Sequence, residues 1–155
     1  MLHPISRALA LLAFCIGLAA PFAAGALEPV QQNGDGVAID GTDPVAYFTD
    51  GRAVAGSEQF ELAWNGATWR FASAAHREQF RADPERFAPQ YGGYCAWAVG
   101  HGHTATIDPE AWSIVNGKLY LNYSRDVQTK WTPEKEKWID AADRNWPRLR
   151  DGATR

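Results

Sequence analysis

Phe60-Glu61-Leu62-Ala63-Trp64-Asn65-Gly66-Ala67-Thr68-Trp69-Arg70-Phe71 is the stretch that decides the fold. Asn-Gly between two alternating runs supplies the two positive-φ residues of a type I′ turn, the tight connection of a β-hairpin. Pairing about that turn sets Leu62 opposite Trp69 and Phe60 opposite Phe71 on one face. Glu61 then falls opposite Arg70 on the solvent face, a complementary cross-strand pair. A second stretch repeats the pattern: Trp112-Ser113-Ile114-Val115-Asn116-Gly117-Lys118-Leu119-Tyr120-Leu121. There Ile114 meets Leu119 and Trp112 meets Leu121, which gives a second apolar face.

The segments after the two hairpins are also similar. Ser73 lies eight residues after Asn65, and Ser124 eight after Asn116; each serine is placed to cap a helix. A shift of 51 residues also superposes Trp69 on Tyr120 and Phe80 on Trp131. This reads as a pseudo-repeat, hairpin then helix, whose two sheets join or pack together; the alternative is a coincidence of a common arrangement. The remaining elements are short. Asp43-Pro44 reads as a cap and first position of a one- or two-turn helix. Ser73–Ala82 reads as a helix with Phe80 inward, and Asp83-Pro84 starts another turn. Thr132-Pro133-Glu134 opens a last helix through about Asn145, carrying Trp138 and Ile139, and Trp146-Pro147 is expected to end it. The expected class is α+β: a small single domain of two antiparallel hairpins, each followed by a helix, around an aromatic-rich core.

Outside this core the chain begins with a leader. Residues 1–26 read as a secretory signal: His3 and Arg7, an apolar run from Ala8 to Ala20, then Ala24-Gly25-Ala26, with cleavage expected after Ala26. That run is too short to span a bilayer. Export to the periplasm or beyond is the expectation, with residues 27–36 as a flexible lead, 37–149 as the domain and 150–155 as a tail. The chain of 155 residues carries net charge −3, and loss of Arg7 makes the mature form one unit more acidic. Without a basic surface it is not expected to bind nucleic acid, nor an anionic membrane. All seven Trp lie beyond the leader.

Of two cysteines, Cys15 lies in the leader, so Cys95 is left without an intrachain partner. It sits in Tyr91-Gly92-Gly93-Tyr94-Cys95-Ala96-Trp97-Ala98-Val99-Gly100-His101-Gly102-His103. The double glycine is expected to break the preceding turn and let a helix begin near Tyr94. Cys95 would then lie in a first turn whose free N–H groups lower the thiol pKa and favour oxidation to a sulfenic acid. Without a second cysteine, a redox cycle needs a small external thiol or oxidant as partner. Alternatively the thiol is a small apolar core group. Soft-metal handling is the leading expectation, with thiol redox as its alternative: a metal site would be built from Cys95 as anchoring thiolate with His101, His103 and His76, and thiolate and imidazole suit copper first and zinc second. The alternative for His101 and His103 is a solvated loop, and for His76 an exposed helix position. A third reading is an interaction module, with Tyr91, Tyr94, Trp97, Trp112, Trp64 and Trp69 lining an apolar groove, although aromatics so spaced are more often core. No nucleotide loop, paired carboxylates or serine–histidine arrangement stands out, and Asp40, Asp43, Asp50, Asp108 and Glu110 read as turn and cap residues.

Several of these stretches together resemble the YHS-domain family. They are Asp43-Pro44-Val45-Ala46-Tyr47, the Trp64–Ser73 hairpin running into Phe80 and Asp83-Pro84-Glu85-Arg86-Phe87, and Tyr91–Ala98. Asp108–Trp112, Leu119–Tyr123 and Asn145-Trp146-Pro147 extend the match to about residues 35–149. The chain is similar to the exported bacterial subgroup of small YHS proteins, some of which carry selenocysteine where Cys95 stands. The resemblance implies metal association or redox chemistry at Cys95; Tyr94 and Trp97, its neighbours in sequence, are expected to shield the site. The family's Tyr-His-Ser triplet falls on Phe71-Ala72-Ser73, and a cysteine that can follow Asp-Pro-Val falls on Ala46. Two ligand positions are therefore alanine, and only His76, at the place of a relative's second cysteine, keeps a ligand type.

Overall fold

The computed structural model describes residues 27–152. The expected leader, residues 1–26, and the last three residues lie outside the described residues. Both hairpins form where the Asn-Gly pairs put them. Strands β1 (Ser57–Trp64) and β2 (Ala67–Phe71) pair antiparallel, as do β3 (Asp108–Val115) and β4 (Lys118–Asn122). Asn65 and Gly66 have φ of 50° and 80°, Asn116 and Gly117 of 51° and 74°, as a type I′ turn requires. The two sheets stay separate rather than joining.

Leu62 pairs with Trp69, Glu61 with Arg70, Ile114 with Leu119 and Trp112 with Leu121. Phe60 does not meet Phe71. A bulge before Glu61 hands Phe71 to Ser57 instead. In a regular strand residues three apart face opposite sides; the irregularity brings Glu58 as well as Glu61 to the Arg70 guanidinium, at 3.0 Å each. The second hairpin is interrupted likewise between Asp108 and Trp112, where Pro109 has no N–H to give the ladder. Ile114, expected inward, remains 38% exposed.

Each hairpin runs into its capped helix. In α1 (Ala46–Thr49) and α2 (Ala74–Ala82), then the single turn α3 (Pro84–Phe87), the first half completes itself. Ser73 Oγ accepts the His76 N–H at 3.1 Å. The short α4 (Ala96–Gly100) precedes the second hairpin, and α5 (Arg125–Trp131) comes after it, with Ser124 Oγ accepting the Val127 N–H at 3.2 Å. The final helix α6 (Lys135–Arg150) packs across α4 and caps it: Asn145 Nδ2 donates to the carbonyls of Val99 and Gly100. Pro147 does not end α6 as expected. A proline near a helix end forfeits one backbone bond, and Trp146 packed on Tyr91 and Tyr94 holds the last turn in place. Arg150 therefore belongs to the helix, not to a tail.

The core is aromatic in both halves. Phe80 lies among Trp64, Trp69 and Phe71, with ring centroids 5.0–5.6 Å away. In the second half Trp131 lies on Tyr120 at 5.6 Å, the same pairing shifted by 51 residues. Most of the aromatics considered as a groove are thus packed into these clusters.

Two expectations about the N-terminal side change. Residues 27–36 are not a loose lead: Val30 and Gln31 are buried, and the Gln31 N–H donates to Gly92 O at 2.8 Å. The double glycine serves this strap. Gly92 and Gly93 have φ of 61° and 86°, and a Cβ on Gly92 would stand 2.1 Å from the Pro29 carbonyl oxygen. Only residues without a side chain admit both the backbone turn and the crossing strand.

Candidate functional site

Cys95 is the last residue before α4, in the N-cap position, and is 1% exposed. Strand β4 comes alongside because its last residue, Asn122, is fully buried and reaches into the turn. Asn122 Oδ1 accepts the Trp97 N–H at 3.1 Å and lies 3.8 Å from Cys95 Sγ, placed to take the thiol proton. The next N–H along the chain, that of Tyr123, donates to Sγ at 3.2 Å. Trp97 and Ala98 add backbone N–H groups that favour negative charge on the sulfur. Neither forms a capping hydrogen bond with it.

Burial outweighs these groups and pushes the Cys95 thiol up, opposing the N–H groups of Ala98, Tyr123 and Trp97. The expected lowering is therefore reversed in sign. The helix start is where the double glycine suggested, but the sulfur there is inside the core, and desolvation of a thiolate is the larger effect. The resting group is a neutral, hydrogen-bonded thiol. One atom in this environment has no counterpart: among the described residues, Asn122 Nδ2 is buried with no hydrogen-bond partner. Buried donors are nearly always paired, so this amide stands out.

The expected ligands do not gather round the sulfur. His101 is exposed after α4, its Nδ1 2.8 Å from the Trp97 carbonyl and its ring stacked on Trp138 at 4.3 Å. Trp97 closes the stack at 4.7 Å from both rings. His103 is also exposed. Tyr94 turns its hydroxyl to the Glu28 carbonyl at 3.0 Å and its ring to Trp146. Among the described residues, no group of three or more His, Cys, Asp or Glu side chains stands where it could hold a metal ion.

His76 occupies a different setting from the exposed one considered. Its side chain is 15% exposed, and Nδ1 donates to the Asp43 carboxylate at 2.6 Å. Nε2 lies 3.3 Å from Thr49 Oγ1. Asp43 is more than a turn residue: fully buried, it accepts from the N–H groups of Val45, Ala46 and Ala72 besides His76. The sequence marked Asp43 as a cap; its long-range partners, 29 and 33 residues away, left no local signal. Asn122 has no such signal either: nothing in Leu119-Tyr120-Leu121-Asn122-Tyr123 says that an amide will face the thiol.

No protein-family model, curated protein or solved structure matches this chain. Among the described residues no helix is long and apolar enough to cross a membrane.

Proposed function

We propose that this chain is an exported YHS-type domain whose chemistry is thiol redox at Cys95. The family part of that reading rests on the motifs from Asp43–Tyr47 to Asn145–Pro147, and the export part on residues 1–26. The redox part rests on one observation: the sole cysteine beyond the leader sits within reach of backbone N–H groups and a buried amide, apart from the histidines. A small hydroperoxide transfers one oxygen to the sulfur; the O–O bond breaks, an S–O bond forms, and the peroxide leaves as an alcohol or water. An external thiol then attacks the sulfenic sulfur, expels water and forms a mixed disulfide. A second external thiol releases the Cys95 thiol and leaves as the oxidised dimer. Copper or zinc handling is supported by the resemblance alone, since His101, His103 and His76 take other partners. An interaction module draws on Tyr123, 56% exposed, but the other aromatics serve the core.

Burial sets the expected rate. Folded mature protein should be alkylated at Cys95 slowly at neutral pH. The rate should rise about tenfold per pH unit through and beyond the ordinary thiol value of about 8.5, because only the thiolate reacts. Mass analysis after alkylation at a series of pH values measures this, with Cys95→Ser as the blank. A rate already at its plateau near neutral pH would contradict the raised thiol. No reaction at any pH short of unfolding would remove the redox reading.

A further inference from the structure

The two halves of the domain place Asp43 and Cys95 in the same structural position. Each precedes a short helix, α1 or α4, and each is buried, at 0% and 1% exposure. Asp43 takes the N–H of Ala72, the residue just after β2 and just before the cap Ser73. Cys95 takes the N–H of Tyr123, the residue just after β4 and just before the cap Ser124. Asp43 also accepts from the residues two and three further on, Val45 and Ala46. Beyond Cys95 the residue two further on, Trp97, gives its N–H to Asn122 Oδ1 rather than to the sulfur, and neither it nor Ala98 makes a capping hydrogen bond with Sγ. The N–H that follows the second strand of each hairpin is thus taken by a carboxylate in one half and by a thiol in the other.

The halves differ in what completes the site. His76 and Val127 correspond, both being the third residue of a helix and both giving their N–H to the cap serine. His76 donates its ring N–H to Asp43; Val127 has nothing to donate. In the second half Asn122, in the place of Phe71, brings its amide Oδ1 to 3.8 Å from the sulfur, and its buried Nδ2 has no acceptor among the described residues.

We propose that the Cys95 position is an anion-binding site, the counterpart of the one Asp43 fills, and that its charged occupant is the oxyanion of the oxidised Cys95 sulfur. This rests on the redox reading for the identity of the occupant, but the anion site can be tested without it. Oxidation by a hydroperoxide adds one oxygen and removes two electrons from sulfur; the sulfenic proton passes to solvent and leaves a sulfenate. The added oxygen is proposed to turn towards the Asn122 amide, whose Oδ1 lies 3.8 Å from Sγ and whose Nδ2 has no partner among the described residues, while the Tyr123 N–H stays on the charged group. A second oxygen would give a sulfinate, which has the shape and charge of the Asp43 carboxylate. α4 has only five residues, and the site is held by these individual donors rather than by a helix dipole.

Cys95→Asp and Cys95→Asn test the site with no peroxide present. They share a shape and differ in charge. An anion site holds the folded carboxyl pKa below the unfolded value of about 3.9, so Cys95→Asp gains stability relative to Cys95→Asn as pH rises from about 3 to about 6. Urea midpoints at the two pH values read this. If Cys95→Asp instead loses ground as pH rises, or fails to fold where Cys95→Asn folds, the apolar surroundings dominate and the proposal is overturned. If neither folds, Val127→His decides. An imidazole there, as His76 is beside Asp43, should speed Cys95 alkylation near neutral pH about tenfold, equivalent to one pKa unit; an unchanged rate overturns the equivalence. An anion site in these variants together with a wild-type sulfur inert to peroxide would sink the redox reading alone.

Discussion

Replacing Asp43 by alanine is expected to cost the fold about 3–5 kcal/mol, the range for removing one partner from a buried charged network. Four donors converge on this side chain: the N–H groups of Val45, Ala46 and Ala72, and His76 Nδ1. Alanine leaves them facing a cavity, and each buried unpaired group carries its own desolvation penalty. The loss spreads over three elements, because Asp43 ties the start of α1 to the end of β2 and to α2. Asp43→Asn should recover part of it. Its oxygen can still serve Val45 and Ala46, but its NH2 then meets the donors of Ala72 and His76. Urea unfolding of the three proteins checks the order wild type, Asn, Ala. Equal midpoints for wild type and Asp43→Ala would show that the buried carboxylate contributes nothing.

Phe80→Ala is expected to cost a similar amount, about 3–5 kcal/mol, for a different reason. Its ring is fully buried and touches three others, Trp64, Trp69 and Phe71. Deletion opens a cavity beneath the first hairpin and removes the edge-on and tilted ring contacts that fix the two tryptophans. Phe80→Leu keeps most of the volume and should cost only about 1–2 kcal/mol. The near-ultraviolet circular dichroism of Trp64 and Trp69 should fall in the alanine variant even where it remains folded. Intact tryptophan bands with an unchanged midpoint would contradict the packing described.

The parts of the molecule legible in its sequence are those decided within a few residues. Asn65-Gly66 and Asn116-Gly117 set their turns, Ser73 and Ser124 cap their helices, and the alternation of Leu62, Trp69, Trp112 and Leu121 orients the faces. What escaped depends on distant partners. The bulge before Glu61, which carries Glu58 as well as Glu61 to Arg70, has no local signal. Gly92 looked like a helix signal, yet its missing side chain makes room for Pro29. α6 passes through Pro147 because Trp146 is anchored on rings from residues 91 and 94. The candidate site divides the same way. Cys95 was evident from its isolation, and the helix start from its glycines. The sign of its pKa shift was not, because desolvation is set by the whole core and by Asn122 and Tyr123, more than 25 residues downstream.

The reaction of folded mature protein with hydrogen peroxide bears most directly on Cys95. Intact mass, read with a sulfenic-acid trap such as dimedone, tracks the sulfur. The expected result is the gain of one oxygen at Cys95, trapped as the dimedone adduct, absent in Cys95→Ser and reversed by a small thiol. A protein that stays folded, gains no oxygen at Cys95 and is modified only after unfolding would contradict the account.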